Sequence, residues 1–439
     1  MPAEWPTVRL EEIASTDRKG FAMGPFGSNI RSENYQQAGV PVLRGVNLGE
    51  AGFIHDDLVF LSEQKAEELK NSQAFPGDVI FVAQGTVGKV GLVPNHPRFQ
   101  KTVLSQNLMK FSCDRSKCDP RFFYYFFVSA EGQHTIRSRV NPTGVPCISR
   151  PLSSLKEFEV PFPPLVEQKA IAAVLGALDD KIELNRRMNA TLEAMARALF
   201  QSWFVDFDPV RAKLDGRQPA ALDQATAVLF PLHFEHTENG MLPTGWRHAA
   251  IEEVCEANSW TLGKHDDLRT LEYVEISEVT RGDIANIATY ARGEEPSRAR
   301  RRLRNGDTVL STVRPDRGSY FLALNPPKNR VASTGFAVLT PTKAPWSFVH
   351  AAMTQPEVFD YLGQMADGGA YPAVRPDVIT AWKVVVPNDQ KLLDAFHQIC
   401  APLFEQANVN RIESRTLTSL RDTLVPKLLS GQLIVVGVV

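Results

Sequence analysis

The stretch Ile171–Leu199, IAAVLGALDDKIELNRRMNATLEAMARAL, decides the architecture. Its apolar side chains follow a heptad, with Ile171, Leu178, Leu192 and Leu199 at a and Val174, Met188 and Met195 at d, while Asn185 interrupts the a series. A repeat of 3.5 residues marks a helix that packs along a narrow seam against another helix. Adding 225 to each a position gives Phe396, Leu403, Asn410, Leu417 and Leu424, the same seam with its asparagine in the same place. Ile399 and Leu420 continue the second d series, and Gln406 and Glu413 weaken it.

A single amphipathic helix packing on its own domain would show the same periodicity, but matched asparagines favour two helices packed on each other. If they pair antiparallel about a twofold axis between duplicated halves, the two amides meet at the centre. A buried polar pair costs stability and fixes register. From Glu167 to Phe204 such a helix is roughly 57 Å long, at 1.5 Å per residue, and the pair would serve as a rigid spacer. Duplex DNA, with a turn of about 34 Å, is a target that presents sites at fixed separations.

Outward from the helices the halves keep echoing each other. Trp5 with Leu10-Glu11-Glu12-Ile13 recurs as Trp246 with Ile251-Glu252-Glu253-Val254, an offset of 241. Pro76-Gly77-Asp78-Val79 recurs as Asn305-Gly306-Asp307-Thr308 at 229, and Glu159-Val160-Pro161 as Val385-Val386-Pro387 at 226. Small changes of offset place the indels in loops. A period of about half the chain means a duplicated domain, not a solenoid. The expected fold is α+β: two similar mixed α/β domains, 1–162 and 241–387, separated by long helices at 163–205 and 388–430 that form an antiparallel coiled coil with pseudo-twofold symmetry. A connector over 206–240 and a tail over 431–439 complete the division.

The 439 residues carry 48 basic and 50 acidic side chains, a net charge of -2, which excludes an indiscriminate polybasic wrapper of nucleic acid. A hydrophobic fraction of 43% with 25 Phe supplies more than one core. The N-terminus has no signal-peptide pattern and no apolar run approaches the ~18 residues of a membrane span, so the expected location is cytoplasmic. Cys113, Cys118, Cys147, Cys255 and Cys400 show no CxxC spacing, which fits a reducing compartment and gives no zinc site.

Catalytic motifs fail on inspection. Gly85-Thr86-Val87-Gly88-Lys89 lacks the first glycine and the Ser or Thr of a phosphate loop, Ala83 and Val90 standing there instead. Lys328 follows Asn325-Pro326-Pro327 where an amino-methyltransferase needs an aromatic ring. Pro376-Asp377 with Ala381-Trp382-Lys383 lacks the second carboxylate of a nuclease core. His233 and His236 have no companion cysteines, and no metal site is expected.

The small net charge hides local excesses. Residues 298–330 hold Arg298, Arg300, Arg301, Arg302, Arg304, Arg314, Arg317, Lys328 and Arg330 against Asp307 and Asp316, a charge of +7. Residues 81–110 hold Lys89, Arg98, Lys101 and Lys110 with no acid, a charge of +4. Equivalent placement after the Gly-Asp turn points to a phosphate-binding surface in each half. The candidate DNA-contacting residues are Arg44, Asn47, Gln84, Thr86, Lys89, Gln106 and Asn107 in the first half and Arg281, Arg301, Arg302, Arg304, Arg314 and Arg317 in the second. Arg can bond guanine O6 and N7, and Asn or Gln can bond adenine N6 and N7.

These residues resemble a known family. Gly24-Pro25-Phe26-Gly27-Ser28, the stretch Gly39 to Leu48, Pro76-Gly77-Asp78-Val79, Gly85 to Lys89, Pro163-Pro164-Leu165-Val166-Glu167-Gln168 and Ser202-Trp203-Phe204-Val205-Asp206-Phe207-Asp208-Pro209-Val210 together resemble the specificity subunit of type I restriction-modification systems. The second half departs from the pattern: Glu275 aligns with Arg44, and Val313 to Gly318 replaces the Gly-Thr-x-Gly-Lys element. The resemblance implies two target-recognition domains reading the halves of a bipartite, asymmetric DNA site, with the helices setting the spacer. It also implies a part in phage defence as a non-catalytic subunit. Two copies of an adenine-N6 methyltransferase subunit that binds S-adenosylmethionine would dock on it, optionally with restriction subunits that use ATP and Mg. No cofactor is expected in this chain. The alternatives are a fused DNA methyltransferase with a divergent active site, and a two-headed interaction scaffold with no DNA role.

Overall fold

In a computed structural model, residues 5–435 are described apart from 50–51, 54–57, 96–98, 142, 239 and 264–265. The chain forms two compact units, Met1–Glu183 with Thr416–Val439, and Leu184–Arg415. Each holds one mixed α/β domain and a part of both long helices.

In the first unit one antiparallel sheet has the order Phe21–Met23, Leu108–Phe111, Val79–Val82, Val90–Leu92. A second has the order Val59–Leu61, Val40–Leu43, Thr102–Leu104, Gln73–Ala74, with its two central strands parallel. The run Val79-Ile80-Phe81-Val82 is buried on both faces, which explains its continuous apolar reading. Asp119 caps the helix Pro120–Val128 by accepting the Arg121 N–H at 2.9 Å. That helix is apolar all round, and Phe122, Phe123, Phe126 and Phe127 join Phe81, Phe111 and Phe158 in the core.

The second unit repeats both sheets in the same order: Cys255–Ala257, Phe336–Pro341, Asp307–Ser311, Tyr320–Ala323, and Ala288–Ala291, Thr270–Val274, Arg330–Ser333, Ala299–Arg302. The outer strands also correspond, Thr7–Arg9 with Glu159–Pro161 and Trp246–Ala250 with Lys383–Pro387. Gly77 and Gly306 make the repeated turn with φ of 84° and 86°. The connector is more ordered than its composition indicates. It contains helices Asp208–Leu214 and Gln224–Val228 and a strand, Phe234–Thr237, paired with Gly240–Pro243; Phe207, Val210 and Phe230 fix it in the core of the second unit.

Both long helices have 40 residues, Leu165–Phe204 and Gln390–Leu429, and they pack together antiparallel within each unit. Arg421 meets Asp179 at 2.9 Å in the first unit, and in the second Arg411 meets Glu193 while Phe200 lies against Phe396. Gln168 anchors the start of the first helix, its carboxamide accepting the Asp119 N–H and donating to Pro163 O, each at 2.9 Å. Among the described residues no helix is long and apolar enough to cross a membrane.

The seam differs in phase from the heptad read in the sequence. The a series is inside, with Ile171, Asn185, Phe396 and Asn410 buried and Leu178, Leu192, Leu199, Leu403, Leu417 and Leu424 half-buried. The second row is not d but e, where Leu175, Ala196, Trp203, Cys400, Ala407 and Leu428 are buried. Met188 and Met195, assigned to d, are 38% and 53% exposed. Small side chains at Ala196 and Ala407 permit close approach of the helices along e, and the longer methionines turn outward. The two asparagine amides also do not bond each other. Asn185 Nδ2 donates to the backbone O of Asn410 at 3.3 Å, to Glu413 Oε2 at 2.8 Å and to Ser414 Oγ at 3.3 Å, whereas Asn410 Nδ2 donates to Asn189 Oδ1 at 2.8 Å.

Candidate nucleic-acid interface

In the first domain five turns converge on one edge of the sheets. Gly24 donates to Leu108 O at 2.9 Å and lies so close to the next turn that a Cβ there would stand 1.8 Å from Ser105 O. Ser105 N donates to Leu43 O at 2.8 Å, Ala83 N to Asn107 O at 2.7 Å and Gly85 N to Pro146 O at 2.9 Å. These bonds bring Phe26, Arg44, Val46, Gln84, Thr86, Gln106, Asn107 and Val145 to the same edge. Phe26, Val46 and Val145 are at least 60% exposed, and Gln84, Thr86, Lys89, Gln106 and Asn107 are exposed too. Apolar side chains beside amide groups suit a base edge, which offers methyl groups as well as donors and acceptors.

The second domain builds the equivalent edge from different residues. Asn258 N donates to Val338 O at 2.8 Å, Thr312 N to Gly335 O at 2.9 Å and Arg314 N to Pro372 O at 2.7 Å. Arg281 N donates to Gly318 O at 3.2 Å, which carries a separate loop to the Pro315–Arg317 turn. Arg281, Arg314 and Arg317 therefore sit together, with Tyr371 72% exposed beside them. Thr334 N bonds to Arg298 O at 2.8 Å and places exposed Arg298 next to the same edge.

Several candidates lie elsewhere. Asn47 is 1% exposed and its carboxamide oxygen accepts the Arg44 N–H at 2.9 Å, so it shapes the turn instead of facing solvent. The charge excess of the first half is not one surface: Lys110 is buried against Asp78 at 2.8 Å, Lys101 pairs with Glu63 at 2.9 Å, and Arg98 lies outside the described residues. In the second half Arg302 bonds Asp266 at 2.9 Å and lies over Trp260 at 3.9 Å, with Arg304 over the same ring at 5.2 Å. Arg300 pairs with Glu295 at 3.7 Å and Arg330 with Glu272 at 2.7 Å. Arg301 is half-buried, and desolvation pulls its guanidinium below the ordinary arginine range. Counting charge along the chain missed these acids because they come from other strands and loops. Tyr371 and Val145 were missed as well, and only their place in Gly- and Pro-containing loops could have marked them.

Known proteins share this organisation. Residues 2–194 match the type I restriction modification DNA specificity domain. The type I restriction enzyme HindI specificity subunit of Haemophilus influenzae is 23% identical, covering 95% of this chain and all of that protein. The type I restriction enzyme MjaIX specificity subunit of Methanocaldococcus jannaschii is 19% identical over 99% of this chain and 94% of its own length. In fold, the S subunit of a type I restriction-modification system from M. genitalium superposes with a TM-score of 0.57 at 17% identity, covering 97% of this chain and 96% of that one. The chain is thus similar along nearly its whole length to specificity subunits of type I restriction enzymes, and its residues 2–194 match the model of the type I restriction modification DNA specificity domain.

Proposed function

We propose that this chain is the non-catalytic DNA-specificity subunit of a type I restriction-modification complex and reads a bipartite, asymmetric site. The observation that carries the reading is the repeated edge. Corresponding backbone bonds, Ala83 N to Asn107 O and Gly85 N to Pro146 O in one domain and Thr312 N to Gly335 O and Arg314 N to Pro372 O in the other, frame Gln84, Thr86, Gln106 and Asn107 in the first and Arg314 and Arg317 in the second. Equal frameworks with unequal side chains are what two readers of different half-sites require.

The paired helices, related by a pseudo-twofold axis, set the non-specific spacer. Their outward apolar residues, Leu184, Met188, Met195, Val409 and Ile412, are each at least 38% exposed and offer a docking face for a methyltransferase subunit. Two such subunits would carry S-adenosylmethionine and transfer the methyl group to a flipped adenine. Restriction subunits using ATP and Mg would join the same complex.

The test is methylome sequencing of a host that expresses the chain with its methyltransferase. One bipartite N6-methyladenine motif is expected, and exchange of residues 1–162 for a relative's domain should change one half-site only. Binding of S-adenosylmethionine by the purified chain alone would favour a fused enzyme. Absence of salt-sensitive DNA binding by the complex would favour a scaffold.

A further inference from the structure

Arg314 adopts a left-handed backbone conformation, φ 45° and ψ 57°. Glycine takes this conformation freely, and a residue with a Cβ takes it only against steric resistance. The first domain has glycine at the matching place. Gly85, φ 90°, donates to Pro146 O as Arg314 donates to Pro372 O. The match follows from the sheet register, in which Ile80 faces Lys110 and Val309 faces Val338. Strain kept in one copy and absent from the other points to a use for the arginine side chain.

That side chain is fixed but not neutralised. Its guanidinium lies 4.7 Å from the centre of the Tyr371 ring, and one nitrogen donates to Ala370 O at 2.7 Å. Among the described residues no carboxylate pairs with Arg281, Arg314 or Arg317, in contrast to Arg300, Arg302 and Arg330. The remaining N–H groups of Arg314 are held in a defined direction at an exposed edge.

We propose that Arg314, laid on Tyr371, reads a guanine in the half-site of the second domain, with Arg281 and Arg317 as phosphate contacts. This rests on the DNA-reading function proposed above. Guanine presents two adjacent acceptors, O6 and N7, to the major groove, and no other base does; two N–H donors of one guanidinium match them. A side chain already ordered by an aromatic ring and a carbonyl loses less entropy on binding. Arg281 and Arg317, exposed and not ordered in this way, suit the phosphates, which demand charge more than direction.

The test uses the full chain with its methyltransferase, a methylome for the motif and a randomised duplex library for binding, comparing wild type, Arg314→Lys and Arg317→Ala. Exchange of residues 1–162 identifies the half-site that belongs to the second domain. That half-site should contain a G·C pair for which Arg314→Lys loses roughly 10- to 100-fold of its preference, while the first half-site is read as before. Arg317→Ala should weaken all duplexes alike and reduce the salt slope by about 0.9. A second half-site without a required G·C pair, or an Arg314→Lys complex that keeps the same preference there, overturns the assignment. A wild-type complex with no bipartite motif overturns the specificity-subunit reading itself, and the assignment with it.

Discussion

Lys110 and Asp78 form an ion pair at 2.8 Å inside the first domain, with side chains 2% and 0% exposed. Asp78 also receives Arg18 at 2.8 Å, the Ser112 hydroxyl at 2.6 Å and the Phe75 N–H at 2.9 Å. The second domain keeps the aspartate as Asp307 but has Val338 at the strand position of Lys110. Burial then pushes the Asp307 carboxyl up to about 6, although the Arg304 N–H is donated to it at 2.6 Å. The same turn is thus held in two ways, by a buried ion pair in one domain and in the other by a buried carboxyl that accepts a backbone N–H.

Removal of Lys110 alone leaves a buried carboxylate short of one cation, which costs about 3 kcal/mol or more. Lys110→Met should lower the stability of the first domain by that order, and Asp78→Asn in the same chain should restore part of the loss. Urea denaturation of the single and double variants measures the coupling. A loss in the double variant equal to the sum of the two single losses would mean that the pair contributes nothing beyond its separate members.

The second domain should show two opposed pH dependences. Asp307, near 3.8 when unfolded and about 6 when folded, holds its proton longer in the native state, so its contribution falls as pH rises from about 4 to 6. His350, 6% exposed, is pushed by burial down to about 3, so the native state resists protonation and stability falls as pH drops from about 6.5 towards 3. The slopes partly cancel in the wild type. Asp307→Asn should expose the acid lability of His350 and gain about 2 kcal/mol at pH 7.5. His350→Gln should expose the opposite slope. Denaturation at pH 4.5 and 7.5 separates them, and a flat profile in both variants would contradict the argument.

The duplication was legible because offsets between copies survive in sequence, and the order of the two sheets follows it. The seam was half legible. Asn185 and Asn410 occupy matched buried positions, but the choice between rows d and e depends on how closely Ala196 and Ala407 let the backbones approach, which hydrophobicity does not record. The candidate site was least legible, because charge along the chain reports neither Asp266 and Glu272, which neutralise Arg302 and Arg330, nor Tyr371, which orders Arg314.

Asn185 places an amide donor 2.8 Å from Glu413 Oε2 in the seam. Asn185→Asp replaces that donor with a second carboxylate at a site with no solvent access. Like charges there raise both carboxyl pKa values, so stability falls as pH rises. The variant should lose about 2 kcal/mol at pH 8 and recover much of it at pH 5, where the two carboxyls can share a proton. Thermal unfolding at the two pH values checks this, and a loss independent of pH would mean that packing alone is affected.

The proposed spacer role has a metric consequence. One heptad inserted beside Asn185 and one beside Asn410 keep the seam in phase and lengthen each helix by about 10.5 Å. At 3.4 Å per base pair the non-specific gap of the methylated motif should grow by roughly 3 base pairs, with both half-sites unchanged. A motif with the original gap would show that the helices do not set the spacing.

The arginines of the second domain should separate into structural and DNA-binding groups. Arg302 is stacked on Trp260 at 3.9 Å and paired with Asp266 at 2.9 Å, so Arg302→Ala should cost about 2 kcal/mol of stability. Its salt dependence of DNA binding should stay as in the wild type, because a guanidinium already paired releases few counterions. Arg298 is exposed, has no ion-pair partner among the described residues, and is tied by its backbone to the reading edge. Arg298→Ala should leave stability within about 0.5 kcal/mol and lower the slope of log K against log salt by about 0.9. Unfolding curves and binding isotherms at several salt concentrations give both quantities for each variant. If Arg302→Ala lowers the slope and Arg298→Ala does not, the phosphate-binding surface lies on the Trp260 side and not on the edge built by Arg281, Arg314 and Arg317.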